Sequence, residues 1–283
     1  MGNLDYFAPT DVGEALKFLA EYGEKATVLA GGTDLVPRIN YYALCPEALM
    51  HIGGLGLDYI KEEGPKVIVG ATTTWTQIAE STILLDKMGI LTGAAKQGAC
   101  VAVRNAGTIG GNLMNASPAA DLTAALLALD AELLLKSSDS ERMVPVKDFF
   151  TGPGETVRKA NELLVEIHIP VPAGQTSFFK LGRRKALTLS VANASVHLVM
   201  DGKQCKDARI CLGAMAPTPL RCLKAEAFIQ GKDVDGNVIS DCAAEAVAES
   251  NPIDDQRATA WYRQKAAKAL VARALAQAAG VEY

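Results

Sequence analysis

The sequence predicts an α+β protein, with a strand-rich first part followed by a smaller antiparallel sheet backed by helices. Two observations predict this class. Short apolar runs punctuated by glycine and proline, which are typical of strands, recur through the first 173 residues. After residue 174, three more such runs are followed by three stretches that favour helices, the last of them alanine-rich.

Length and charge limit the classes of function. The chain has 283 residues, which is enough for two domains with cores of their own. Its formal net charge is −4 and it has no basic stripe, which argues against DNA or RNA as the main partner. It has neither an apolar signal sequence nor a window of about 18 uncharged apolar residues. We therefore expect a cytoplasmic protein without a transmembrane segment.

The six cysteines and three histidines are scattered, without a C-x-x-C pair or a neighbouring histidine ligand. Zinc and iron–sulfur sites rely on ligands delivered in close pairs. We therefore expect no metal site in this chain and mostly reduced, structural thiols. The histidines lie in apolar strand-like runs, where a ring with a structural role is commoner than a ligand or a base.

The first part of the chain alternates helices and strands. Residues 10–22 carry apolar residues on one helix face and begin at Asp11, a capping residue. Residues 26–30 then indicate a buried strand that runs into a glycine pair. A second strand-like run, residues 101–106, leads to another glycine pair, and Ser117-Pro118 predicts the start of the next helix, with serine as the N-cap. The remaining short strands are predicted at 49–52, 59–60, 67–69 and 162–169.

Residues 170–174, Pro-Val-Pro-Ala-Gly, predict a boundary between two domains. Beyond it, Asp201-Gly202 should turn the second strand of a three-stranded antiparallel sheet into the third. These strands are predicted at 177–181, 195–200 and 208–212. The helices that follow are predicted at about 222–230, 238–249 and 255–278.

The two glycine pairs are Gly31-Gly32 and Gly110-Gly111. Glycine lets bare backbone amides approach an anion closely, and a helix starting at Ser117 would add further amide donors. Together these features suit a diphosphate. Neither pair continues as G-x-G-x-x-G, so a dinucleotide would be bound by a fold other than the Rossmann fold. On residue chemistry alone, a nucleotide site and two ordinary turns remain equally supported.

Three longer strings narrow the choice, and they are Ala30-Gly31-Gly32-Thr33-Asp34-Leu35, Val103-Arg104-Asn105-Ala106-Gly107-Thr108-Ile109-Gly110-Gly111-Asn112-Leu113 and Ser117-Pro118-Ala119-Ala120-Asp121. In this order and spacing they closely resemble the FAD-binding medium subunits of the molybdenum hydroxylases, a family that includes xanthine dehydrogenase and aerobic CO dehydrogenase. The resemblance continues through residues 163–170 and 178–185 and covers nearly the whole chain.

The resemblance implies an FAD-binding domain of the vanillyl-alcohol-oxidase (PCMH) type at residues 1–173, with two subdomains at about 1–55 and 56–173. A CO dehydrogenase flavoprotein-like C-terminal domain would occupy residues 174–283. It also implies a set of FAD-binding residues, which are Val28, Leu29, Ala30, Gly31, Gly32, Thr33, Asp34, Thr108, Ile109, Gly110, Gly111, Asn112, Asp121, Leu164 and Lys180. The glycine segments would hold the pyrophosphate, and Lys180 would lie near the isoalloxazine. For Arg183 and Arg184 two roles remain open. They either belong to a solvated run of charges or contact another subunit.

The family further implies partners, namely a large molybdopterin–molybdenum subunit and a small subunit with two [2Fe-2S] clusters, assembled as (αβγ)2. Electrons would pass from those clusters through FAD to NAD+ or another acceptor. No catalytic side chain is expected, because the flavin carries the chemistry. Two alternatives remain, a stand-alone flavoprotein oxidase or reductase of the same fold, and a nucleotide-binding subunit whose FAD site has decayed.

Overall fold

A computed structural model describes residues 4–41 and 44–283. Three lobes follow one another along the chain, each with its own sheet. We call them the N-terminal lobe (residues 5–57), the middle lobe (residues 60–170) and the C-terminal lobe (residues 175–283). The α+β class predicted from the sequence is confirmed.

The N-terminal lobe is a three-stranded parallel sheet with strand order β1-β3-β2. The side chain of Asp11 accepts a hydrogen bond from the Glu14 amide, 2.9 Å, so the predicted helix start is confirmed. The lobe's elements are β1 (Asp5–Phe7), α1 (Val12–Tyr22), β2 (Ala26–Leu29), α2 (Leu35–Asn40) and β3 (Ala48–His51).

The middle lobe is a five-stranded antiparallel sheet with strand order β4-β5-β10-β6-β7, covered by helices. Its first elements are β4 (Ile60–Glu63), β5 (Lys66–Gly70), α3 (Trp75–Glu80), α4 (Thr82–Gln97), α5 (Val101–Ala106), α6 (Ile109–Asn115) and α7 (Asp121–Ala128). The later ones are β6 (Glu132–Lys136), β7 (Glu141–Pro145), β8 (Phe150–Gly152), β9 (Glu155–Thr156) and β10 (Leu163–Pro170). Strand β10 serves two cores, because Leu163 and Val165 pack into the N-terminal lobe while Ile167 packs into the middle lobe.

Two sequence predictions in this lobe are wrong. Residues 101–106 form the short helix α5, which packs against α3 instead of pairing with a strand. The helix predicted at Ser117 begins at Asp121. Residues 117–120 are a turn closed by a hydrogen bond from the Ala120 amide to the Ser117 carbonyl, 3.0 Å.

The C-terminal lobe is a four-stranded antiparallel sheet with three helices on it. The predicted strands and the turn at Asp201-Gly202 are confirmed, and a two-residue fourth strand, too short to show a period, is added. The elements are β11 (Gln175–Gly182), β12 (Ser190–Asp201), β13 (Gln204–Gly213), β14 (Leu220–Arg221), α8 (Leu223–Ile229), α9 (Gly236–Ala248) and α10 (Ala260–Ala279).

Helix α7 joins the middle and C-terminal lobes and is buried along its whole length. Asp121, its first residue, pairs with Lys180 of β11. Asp130, two residues beyond its end, accepts hydrogen bonds from Arg209 Nε, 2.8 Å, and from Arg221 Nη1, 2.6 Å. Both ends of α7 are therefore tied to the C-terminal lobe through carboxylates.

Over residues 4–41 and 44–283, no helix combines the length and the apolar character needed to cross a bilayer. In the same ranges, no three side chains of histidine, cysteine, aspartate or glutamate come together into a group that could hold a metal ion. All six cysteines are free thiols.

Candidate functional site

A cavity of about 650 Å³ lies where the three lobes meet. Ligand pockets commonly have volumes of roughly 300–1,000 Å³, so this one can hold most of a large ligand. Most of its lining residues come from five stretches of the chain, which lie within residues 26–35, 107–112, 117–121, 162–164 and 187–189. The first and second glycine pairs, far apart in sequence, therefore face one space, as the sequence predicted.

The first glycine segment, residues 30–34, is an open cradle of amides. Strand β2 ends at Leu29, and Gly32 adopts the left-handed conformation, with φ of 68°. The backbone amides of residues 30–34 find no hydrogen-bond acceptor in the described part of the chain. Successive free amides around a left-handed residue form a concave binding site for an anion.

The second glycine segment, residues 108–112, is closed by its own hydrogen bonds. Thr108 caps α6 by accepting a hydrogen bond from the Gly111 amide, 3.0 Å. The Gly110 amide donates to the Ala71 carbonyl, 2.9 Å, and the amides of Ile109 and Asn112 are occupied as well. The expectation of bare amides is therefore wrong for this segment, because the glycines lie in a helix that packs tightly on the middle lobe.

The first segment passes very close to Ala106 and Gly107, which directly precede the second segment. A Cβ atom added to Gly31 would lie 1.7 Å from the Ala106 carbonyl oxygen, which is far inside contact distance. Similarly, a Cβ atom on Gly107 would lie 3.3 Å from Thr33 Oγ1. Gly31 is needed because the backbone of the first segment passes so close to that of residues 106–107.

Asp121 is a buried carboxylate at the cavity wall, 4% exposed. Its Oδ2 accepts a hydrogen bond from Lys180 Nζ, 2.6 Å, and its Oδ1 accepts one from Ser190 Oγ, 2.6 Å. Burial raises the pKa of Asp121, and the ammonium group of Lys180 opposes that effect. Both carboxylate oxygens are therefore engaged by the C-terminal lobe.

Lys180 lies behind Asp121, not at the cavity wall. Its Nζ donates to Asp121 and to the Thr188 carbonyl, 3.0 Å, and its side chain is 4% exposed. Leu29 and Ile109 also do not line the cavity. The remaining predicted residues do, and they are Val28, Ala30, Gly31, Gly32, Thr33, Asp34, Thr108, Gly110, Gly111, Asn112, Asp121 and Leu164.

The arginines Arg183 and Arg184 lie outside the cavity lining. Arg183 Nη1 donates to the Gln256 carbonyl, 3.0 Å, and Arg184 Nε donates to the Leu187 carbonyl, 2.9 Å. Both bonds order the loop before β12. Leu187, Thr188 and Leu189 of that loop form the cavity wall contributed by the C-terminal lobe.

Sequence reasoning missed two arginines at the cavity, Arg38 and Arg158. Arg38 lies one helical turn after Asp34, and its Nη1 atom is 3.7 Å from Asp34 Oδ2. The spacing of four residues between opposite charges could have indicated this arginine from the sequence. Arg158 lies in the loop before β10 and belongs to no motif, so only the fold brings it to the site.

The residues present fit a dinucleotide with a diphosphate. The free amides of residues 30–34 suit the anion, and Leu164 and Leu189 supply apolar walls.

Two family models match the chain. One, described as the FAD binding domain in molybdopterin dehydrogenase, covers residues 2–172, and the other, the CO dehydrogenase flavoprotein C-terminal domain, covers residues 177–278. The glyceraldehyde dehydrogenase medium chain of Sulfolobus acidocaldarius is 32% identical over 97% of this chain and 98% of its own. The carbon monoxide dehydrogenase medium chain of Hydrogenophaga pseudoflava is 34% identical over 96% of this chain and 95% of its own length.

A solved structure of carbon monoxide dehydrogenase from Hydrogenophaga pseudoflava has the same fold, with a TM-score of 0.94 and 35% identity over 98% of this chain and 97% of that one. These findings define a flavoprotein component of an oxidoreductase. The chain belongs to the family of FAD-binding subunits of the molybdopterin dehydrogenases, and FAD is its cofactor.

Proposed function

We propose that this chain is the FAD-binding subunit of a multi-subunit molybdenum-containing hydroxylase or dehydrogenase. Its task is to relay electrons, through FAD, from the [2Fe-2S] clusters of a small partner subunit to NAD+ or another acceptor, while a large molybdopterin subunit oxidises the substrate. The single observation that carries the proposal is the row of free amides at residues 30–34, facing a cavity that fits a dinucleotide.

Within that function, the first glycine segment binds the pyrophosphate through its amides. Asn112 and Leu164 line the same cavity, and Leu164 packs on an apolar part of the cofactor. Asp121 faces the cofactor with a carboxylate already held in place by Lys180 and Ser190. Lys180 holds the Asp121 carboxylate in place and does not itself contact the cofactor.

The charges at the cavity support a binding role for this chain. Asp34 is paired with Arg38, Asp121 with Lys180, and Glu162 with Arg142. Each ion pair fixes the position of its carboxylate. These side chains therefore hold and orient the cofactor, and they leave the chemistry to it.

The partners are inferred from the family. The relatives are named as medium chains, which implies that each works with other chains. A division at about residue 173 into an FAD-binding domain and a C-terminal domain fits the limits of the two family models. The (αβγ)2 stoichiometry and the cytoplasmic location stay predictions.

Flavin loading of the purified full chain tests the proposal. We expect yellow protein with about one FAD per chain, no oxidation of organic substrates by the chain alone, and bleaching of the flavin by NADH if NAD+ is the acceptor. Turnover of an organic substrate by the isolated chain would instead support a stand-alone oxidase or reductase. Failure to bind FAD after reconstitution would contradict the proposal and favour a decayed site.

A further inference from the structure

Arg158 is the one charged residue among the described lining residues that has no counter-charge. The others are Asp34, Arg38, Asp121 and Glu162, and each has an opposite charge within 4.0 Å. Within the described ranges, no carboxylate oxygen comes that close to the Arg158 guanidinium. Glu162 is near in sequence, but its carboxylate is taken by Arg142, whose Nε and Nη2 donate to it at 2.7 and 2.8 Å.

Glu162 is also held by the Lys159 amide, which donates to its carboxylate at 2.7 Å. Although burial raises the pKa of Glu162, the hydrogen bonds from Arg142 and from this amide lower it overall. The Glu162 carboxylate is therefore ionised and fully occupied. Burial lowers the pKa of Arg158, and the Glu162 carboxylate opposes this effect only from a distance.

The guanidinium of Arg158 is nonetheless held in a fixed position. Its Nη1 donates to the carbonyl of Glu162, 2.8 Å, and to the carbonyl of Ala160, 3.2 Å. Arginine has five N–H donors, so these two bonds leave Nε and Nη2 without an acceptor among the described residues, and the side chain lines the cavity. Burying part of a cation without a carboxylate partner costs free energy, and a bound anion would offset that cost.

We propose that Arg158 is the charged partner of the pyrophosphate of bound FAD, and that it works with the amides of residues 30–34. This inference rests on the proposed function. Oxidised FAD carries fixed negative charge only on its pyrophosphate, because the isoalloxazine, ribitol, ribose and adenine are neutral near pH 7. A guanidinium matches phosphate oxygens in geometry and in charge.

The test compares FAD with riboflavin, which has the same ring system but no phosphate, by fluorescence titration of the flavin-free full chain. The Arg158→Met variant should bind FAD about 10- to 100-fold more weakly, as expected from the loss of a charged hydrogen bond. Its affinity for riboflavin should change less than about threefold. The Arg158→Gln variant can still donate to the carbonyl of Glu162, and it should lose FAD affinity to a similar extent.

Arg104→Met is the matched control, because Arg104 Nη1 also donates to a backbone carbonyl, that of Gly98 at 2.9 Å, yet Arg104 does not line the cavity. Its FAD affinity should match that of the unmodified chain. The inference is overturned if both Arg158 variants bind FAD normally, or if FAD and riboflavin weaken by the same factor, since that would indicate a role in loop structure. Failure of the unmodified chain to bind FAD would contradict the proposed function instead.

Discussion

The two glycine segments look alike in sequence but are built differently. In the first, residues 30–34, the backbone amides are free and only one glycine has a left-handed φ. In the second, residues 108–112, four amides are occupied by Thr108, Thr73 and Ala71. The first segment is therefore available to a ligand, while the second is committed to the fold.

The difference shows why a glycine pair does not by itself identify an anion site. A Cβ atom on Gly110 would lie 2.5 Å from the Ala71 carbonyl oxygen, so this glycine allows α6 to pack on the end of β5. Glycine at a buried contact and glycine in a ligand cradle serve different purposes. Substitutions that affect stability and FAD binding separately should distinguish the two segments.

The largest effect should come from Lys180, which holds Asp121 at the cavity wall. The Lys180→Met variant leaves the buried Asp121 without its cation, and we expect it to lower the free energy of unfolding by about 3–5 kcal/mol in urea titrations. Lys185→Met is the control, because Lys185 is exposed in the loop that follows β11. If Lys180 contacts the flavin directly, the variant should instead lose FAD affinity while its unfolding free energy stays normal.

The next effect should come from Gly31, where the first segment touches residues 106–107, just before the second segment. The Gly31→Ala variant pushes a methyl group into the Ala106 carbonyl, so we expect a loss of about 3 kcal/mol in stability together with loss of bound FAD. Thermal unfolding and the flavin-to-protein absorbance ratio would measure both. Gly54→Ala is the matched control, since its Cβ atom would meet nothing closer than 3.8 Å. A stable, yellow Gly31→Ala protein would mean that the first segment does not abut residues 106–107.

Thr108 offers a smaller change, confined to the second segment. In the Thr108→Ala variant, α6 loses its cap and the Gly111 amide loses its acceptor, which should cost about 1–2 kcal/mol of stability. FAD affinity should change little, because the amides of this segment are hydrogen-bonded within the protein and are not free to bind a ligand. Thr108→Ser keeps the hydroxyl group and should be nearly as stable as the unmodified chain. A large loss of FAD affinity without destabilisation would reverse the assignment of the two segments.

The sequence predicted the first segment well because its signals are local. An apolar run ending in Gly31-Gly32 specifies a strand followed by a turn, and β2 ends at Leu29, one residue before the predicted end. The second segment was predicted less well. Val101 and Val103 favour a strand by their branched side chains, but α5 forms because the chain packs on α3 there.

The parts of the site that sequence reasoning missed depend on distant contacts. Arg158 reaches the cavity because β10 lies in the middle of its sheet and the preceding loop folds back on it. Similarly, the place of Lys180 behind Asp121 follows from the packing of β11 and β12 beside α7. No local period or spacing encodes either arrangement, so a family resemblance could name Lys180 but not its geometry.

The smallest effect should come from Gly32 and should separate backbone strain from ligand binding. Its φ of 68° is unfavourable for alanine, and the Gly32→Ala variant should lose about 1 kcal/mol of stability. The new methyl group would meet only side-chain ends, those of Val36 and Leu29, which can move. Relaxation of the turn should nevertheless misalign the free amides and weaken FAD binding several-fold in a fluorescence titration.

Gly64→Ala is the control for that measurement, because Gly64 has a φ of 59° and open space around it, in the β4–β5 turn outside the cavity lining. Both variants carry the same kind of strain, so both should lose about 1 kcal/mol. Only Gly32→Ala should bind FAD more weakly. Equal FAD affinity in the two variants would show that the left-handed turn at Gly32 does not hold the cofactor, and the amides of residues 30–34 would then need another role.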